Sequence, residues 1–135
     1  MTEQPKKIIL IFDENPIADD LLIRELKRRG YESARARYSE IEACSKRIDY
    51  GAILVRFPDT NDREMFASAI RGVKTIKETI KGLPFIVLSS LESYHEARRE
   101  LKHHANVIST SDYPDYRIVE IVESCLRTVE NQKHP

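Results

Sequence analysis

The stretch Ile8-Ile9-Leu10-Ile11-Phe12-Asp13-Glu14-Asn15-Pro16 decides the fold. Its first five residues are apolar and β-prone with no polar residue between them. A strand covered on both faces reads this way, as the strands of a parallel sheet do. The run ends on two acids. Asn15 is then placed to cap a helix and Pro16 to fill its first turn, where a missing N–H costs nothing. A buried strand that leads through an acidic end into a helix is half of a β/α unit.

The same alternation continues outward from this segment. Ile17, Leu21, Leu22 and Leu26 recur at helical spacing as an inward face, and Gly30 ends that helix. Residues 31–38 are polar and alternate loosely through Ala34 and Ala36, which predicts an edge strand. Residues 39–48 predict a short helix, with Ile41, Cys44 and Ile48 on one stripe. Ala52-Ile53-Leu54-Val55 is the second clearly buried strand. Asn61 and Glu64 have capping-box spacing. Behind them, Phe66, Ala69, Ile70, Val73, Ile76 and Ile80 form the apolar face of a long helix closed by Gly82 and Pro84.

Residues 85–88 give another buried strand, leading into Ser89 and Ser90. Leu91, Tyr94, Ala97 and Leu101 face inward from the next helix. Val107 and Ile108 make a short last strand, and Pro114 opens a helix whose stripe is Ile118, Ile121, Val122, Cys125 and Val129. Residues 1–5 and 131–135 read as tails, which leaves 6–130 as one domain. Repeated β/α units with continuous apolar strands imply an α/β fold, a parallel sheet between helices. Right-handed crossovers then favour a doubly wound five-stranded sheet of order 2-1-3-4-5. In such sheets function gathers at the carboxyl ends of the strands. Here those ends are Asp13 and Glu14, residues 55–59, Ser89 and Ser90, and residues 109–112.

Composition narrows the function classes. The 135 residues carry 22 basic and 22 acidic side chains, so no global field draws the chain to nucleic acid or an anionic membrane. Lys27-Arg28-Arg29 and Arg98-Arg99 sit beside acids in helical patterns and read as solvated faces. No apolar run approaches the ~20 residues of a membrane span, and the expected location is cytoplasmic. Cys44 and Cys125 are far apart and on apolar helix positions, which suits buried thiols rather than a disulfide. His103 and His104 are adjacent on the predicted helix that also holds His95. Adjacent helical residues point about 100° apart, a poor pair of ligands for one metal. The four glycines are isolated, so there is no phosphate-cradling loop.

At this point the sequence resembles the receiver domains of two-component response regulators, the CheY-like family. The likeness spans roughly residues 6–130. It is carried by IILIFDENP at 8–16, LLIRELKRRG at 21–30, DYGAILVRFP at 49–58 and PFIVLSS at 84–90. The resemblance implies a flavodoxin-like fold and phosphoryl transfer from a histidine kinase to an aspartate at the end of the third strand. It further implies an acidic pair that holds Mg²⁺, a Ser or Thr after the fourth strand, and a Lys after the fifth.

Position by position, Asp13 and Glu14 stand where the acidic pair belongs, and Ser89 stands at the hydroxyl position. The acceptor lies four residues before the proline, which here is Leu54; sliding the register by one or two gives Val55 or Arg56. None of residues 52–57 is acidic, and Asp59 follows the proline out on the loop. The lysine should fall near residues 109–111, which read Ser-Thr-Ser. The resemblance therefore points to a degenerate pseudo-receiver, a non-enzymatic module that works by protein–protein contact.

No cofactor is required on this reading. Two carboxylates without a third would hold Mg²⁺ only weakly, since a rigid octahedral ion gains little from two ligands. The expected partner is a histidine kinase, a downstream signalling protein or another domain of a longer chain, with a homodimer left open. Tyr113 and Tyr116 mark the expected partner surface. Two rivals stand beside this reading: a working phosphorelay receiver with Asp59 as an unconventional acceptor, and a small flavodoxin-like protein that binds a nucleotide or cofactor.

Overall fold

The computed structural model describes residues 8–13, 20–46, 50–58, 62–109 and 114–133, without the side chains of 91–93, 115, 125–126 and 128–133. Five strands, β1 (Ile8–Phe12), β2 (Ser33–Ala36), β3 (Tyr50–Arg56), β4 (Phe85–Ser89) and β5 (Asn106–Ser109), form one parallel sheet in the order β2-β1-β3-β4-β5. The helices are α1 (Asp20–Arg28), α2 (Ile41–Cys44), α3 (Arg63–Thr79), α4 (Leu91–Leu101) and α5 (Asp115–Lys133). The flavodoxin-like doubly wound architecture expected from the sequence is the one observed.

The central strands β1, β3 and β4 are almost continuously apolar because each has two sides to bury. Leu10, Phe12, Ile53, Val55, Phe85 and Val87 join Ile41 of α2, Ala69, Ile70, Val73 and Ile76 of α3, and Leu101 of α4 in one core. Ile9, Ile11, Ala52, Leu54, Ile86 and Leu88 join Leu22 and Leu26 of α1 and Ile118, Val119 and Val122 of α5 in the other. At roughly 1.5–3 kcal/mol for each large apolar side chain withdrawn from water, these two layers dominate the stability. β2 is the polar edge strand, shorter than the expected 31–38. Among the described residues no helix is long and apolar enough to cross a membrane.

Helix ends follow local chemistry. α1 closes with a Schellman arrangement: the Tyr31 N–H donates to Leu26 C=O (2.9 Å) and the Gly30 N–H to Lys27 C=O (2.9 Å), with Gly30 at φ 89°. α3 is capped by Asp62, whose carboxylate accepts from the N–H groups of Glu64 (2.9 Å) and Met65 (3.1 Å). The cap expected at Asn61 is thus displaced by one residue, and Asn61 itself lies outside the described residues.

Other expectations are corrected. Leu21 is 63% exposed, because Leu22 and Leu26 already fill the inward side of α1. The helix expected over 39–48 is a 3₁₀ turn, Tyr38–Glu40, followed by the four residues of α2, with Cys44 half-buried. On α5, Val119 is fully buried and Ile121 half-buried. His103 and His104 lie in the turn after α4, not on it. α5 continues to Lys133, into the stretch 131–135 expected as a tail. Asn15, Pro16, Ile17 and Ile48 lie outside the described residues.

Candidate functional site

β1 and β3 are neighbours in register, with Phe12 opposite Val55. Each therefore ends beside the other, and the next residues along are Asp13 and Arg56. Side chains alternate across a sheet, so Asp13 follows the parity of Ile9 and Ile11, and Arg56 that of Ala52 and Leu54. Both positions fall on the α1/α5 side. Arg56 Nε lies 3.5 Å from Asp13 Oδ2, an ion-pair distance, with the side chains 21% and 6% exposed. A carboxylate this buried needs a counter-charge, and Arg56 supplies one.

The three candidate acceptor residues thus separate. Leu54 and Val55 are fully buried, in opposite cores. Arg56 alone of the three reaches the end of the sheet. Its backbone is held by a residue that sequence reasoning missed: the Tyr38 hydroxyl donates to the Arg56 carbonyl at 2.9 Å. The Tyr38 ring rests on α3 at Gly72, where a Cβ would come within 2.7 Å of Tyr38 Cδ2. Just beyond, Phe57 packs edge-on against Phe66 with ring centroids 5.2 Å apart, and its N–H donates to Leu88 C=O at 2.8 Å. The exit of β3 is clamped from α3 and β4.

Ser89 and Ser109 close β4 and β5, and they are register partners. Both are buried, at 1% and 2% exposure. Ser89 Oγ donates to the Ser90 carbonyl at 3.2 Å, and Ser90 occupies the position that begins α4. Ser109 Oγ has no hydrogen-bond partner among the described residues. By alternation both serines follow Val87 and Val107 onto the opposite side of the sheet from Asp13 and Arg56.

Among the described residues no group of three His, Cys, Asp or Glu side chains could hold a metal ion. Glu14, Asp59 and Tyr113 lie outside the described residues. Tyr116 is 55% exposed on α5.

A second charged cluster joins α1 to α5. Arg29 donates to Glu25 Oε1 at 3.0 Å and to Glu123 Oε1 at 2.8 Å, and lies 3.8 Å from Glu120 Oε1. The Tyr31 hydroxyl donates to Glu123 Oε2 at 3.3 Å. Hydrogen bonds to Glu123 and then Glu25 raise the Arg29 pKa further above its ordinary value. The i,i+4 spacing of Glu25 and Arg29 signalled half of this cluster in the sequence. The half contributed by Glu123, 94 residues away, had no local signal.

No protein-family model and no curated protein matches the sequence. Several solved structures resemble the fold. A CheY-like response regulator receiver domain protein from Methanospirillum hungatei JF-1 superposes with a TM-score of 0.73 at 17% identity, covering 93% of this chain and 98% of that one. NtrX from Brucella abortus gives 0.76 at 18% identity, covering 94% of this chain and 28% of that one. An adenylate cyclase from Rhodopirellula baltica gives 0.73 at 13% identity, covering 95% and 93%. At these identities the likeness is one of fold, and the fold is that of CheY-like receivers.

Proposed function

We propose that the chain is a receiver-like signalling module that acts through protein–protein contacts and accepts no phosphoryl group. The observation that carries this reading is the Arg56–Asp13 ion pair. Phosphoryl transfer to a receiver needs a carboxylate nucleophile at the end of β3 and cations to offset the charge of the incoming group. Arg56 inverts that arrangement. A guanidinium has no nucleophilic oxygen and does not lose its proton in proteins, so it takes no phosphoryl group. It also places a fixed positive charge against Asp13, where the fold family would seat Mg²⁺. The described residues fit that ion poorly, since a hard cation beside Asp13 would have to displace or tolerate the guanidinium.

At the end of β5, Ser109 offers an uncharged hydroxyl in the region where the family carries a lysine. Charge pairing with a phosphoryl group therefore lacks both of its partners in this reading. A binding role keeps the frame of the fold and uses its helical surfaces. The whole of NtrX and the cyclase activity of the Rhodopirellula protein belong to those chains, and neither suggests a reaction for this one.

The test is incubation with Mg²⁺ and labelled acetyl phosphate, read by intact mass and peptide mapping, with Mg²⁺–beryllofluoride titration followed by NMR. No covalent adduct and no shift at Asp13 or Arg56 are expected. A stable modification mapped to an aspartate, Asp59 included, overturns the proposal.

A further inference from the structure

The large apolar side chains exposed among the described residues are Leu21 (63%), Met65 (52%) and Tyr116 (55%). Leu21 and Tyr116 come from helices at opposite ends of the chain, yet they line one groove. It runs between α1 and α5, encloses about 560 Å³, and is completed by Arg24, Glu25, Arg28 and Arg29.

The charges of this groove are sorted by depth. Its lining acid is engaged from within: Glu25 is 14% exposed and meets Arg29 at 3.0 Å, and Glu123, outside the lining, meets the same guanidinium at 2.8 Å. Glu120 is held by Arg117 at 2.6 Å. The cations at the rim are far less engaged. Arg28 is 81% exposed and only approaches Glu25, at 3.5 Å. Arg24 is exposed and has no ion-pair partner among the described residues. Residues 21, 24 and 28 fall on one stripe of α1 at i, i+3 and i+7 spacing. The result is an apolar floor under a cationic lip.

We propose that this groove docks an acidic amphipathic helix of a partner protein. An apolar side chain of that helix enters between Leu21 and Tyr116, and its flanking carboxylates pair with Arg24 and Arg28. The inference rests on the reading of the chain as an interaction module and names the chemistry of its partner. A helix laid in a groove inserts its own i, i+3, i+4 and i+7 anchors, and the stripe of Leu21, Arg24 and Arg28 gives α1 a receiving edge of matching repeat. Charge argues against a second copy as occupant. A two-fold pairing through the same patch would set Arg24 and Arg28 of one copy against a surface whose lip is equally cationic.

The probe is a synthetic helical peptide with leucines at i, i+3 and i+7 flanked by glutamates, and its control has lysine in place of every glutamate. Binding is followed by amide chemical shifts and calorimetry at low and high salt. Shifts are expected at Leu21, Arg24, Arg28 and Tyr116, with weaker binding at high salt and none for the lysine peptide. The double variant Arg24→Glu/Arg28→Glu is expected to weaken binding about tenfold, and Leu21→Ser to weaken it as well. These side chains are exposed, so the variants should keep the parent circular dichroism and melting temperature.

Absence of binding, equal binding of both peptides, shifts clustered on the α3/α4 face, or self-association that hides Leu21 would each overturn the proposal. Repeating the titration after Mg²⁺–beryllofluoride treatment separates the two readings. A peptide affinity that changes on treatment overturns the phosphate-independent module and leaves the groove standing. An inert groove before and after overturns the groove alone.

Discussion

Arg56 Nε stands 3.5 Å from Asp13 Oδ2, and the pair joins the carboxyl ends of two adjacent central strands. Compensation for the Asp13 charge is thus built into the chain. The pair therefore carries two expectations, one for stability and one for ion binding.

Breaking the pair should be costly because Asp13 is almost fully withdrawn from water. Arg56→Met and Asp13→Asn are each expected to lower unfolding free energy by about 1–3 kcal/mol, since each leaves a partly buried charge with less compensation. The double variant should lose clearly less than the sum of the two. Urea denaturation of all four proteins measures this. Strictly additive losses would mean that the two side chains are not coupled.

Replacing the cation by an acid should invert the ion dependence. Arg56→Asp sets a second carboxylate beside Asp13. Without divalent ions the variant should melt below the parent, because like charges at this spacing repel. Millimolar Mg²⁺ should then raise its melting temperature while leaving the parent unmoved, as expected for a ligand that binds only the folded state. A thermal shift with and without Mg²⁺ decides it, and an equal Mg²⁺ response in both proteins would contradict the idea.

The fold was legible because a parallel sheet needs strands buried on both sides, and continuous apolar runs such as Ile8–Phe12 have no cheaper explanation. Finer placements were less so. Periodicity cannot say which of the adjacent leucines 21 and 22 faces inward, and the answer came from packing against α5. Counting back from Pro58 points to Leu54, which lies buried within β3, while the strand itself runs on to Arg56. The absence of an acid over residues 52–57 was plain in the sequence, but the approach of Arg56 to Asp13 depends on strand register. Tyr38 went unnoticed for a similar reason. Its one advance signal was Gly72, a glycine inside a long helix, where it costs about 1 kcal/mol relative to alanine and so points to a close neighbour.

Ser109 offers a test of burial without pairing. Its hydroxyl is 2% exposed and has no hydrogen-bond partner among the described residues. An unsatisfied buried hydroxyl costs roughly 1–3 kcal/mol on mutational scales. Ser109→Ala should therefore be neutral or stabilising by up to about 1 kcal/mol, where most buried polar-to-alanine changes destabilise. A clear loss of stability on chemical denaturation would show that the hydroxyl has a partner in solution.

Gly72 and Tyr38 permit a sharper experiment, because the sign of one substitution should depend on the other. Alanine is the better helix former by about 1 kcal/mol, so Gly72→Ala on an open helix face would stabilise. Here the new methyl would meet Tyr38 Cδ2 at 2.7 Å and force the ring aside. Moving the ring strains or breaks the 2.9 Å hydrogen bond from Tyr38 to the Arg56 carbonyl, so the net effect should be a loss of about 1–2 kcal/mol. In a Tyr38→Ala background the obstacle is gone. Gly72→Ala should then stabilise by a few tenths to about 1 kcal/mol. Tyr38→Phe isolates the hydroxyl and should cost about 1 kcal/mol while keeping the ring. A double-mutant cycle by urea denaturation reads all of this. If Gly72→Ala destabilises equally with and without the tyrosine, the Tyr38 ring is not what holds position 72 to glycine.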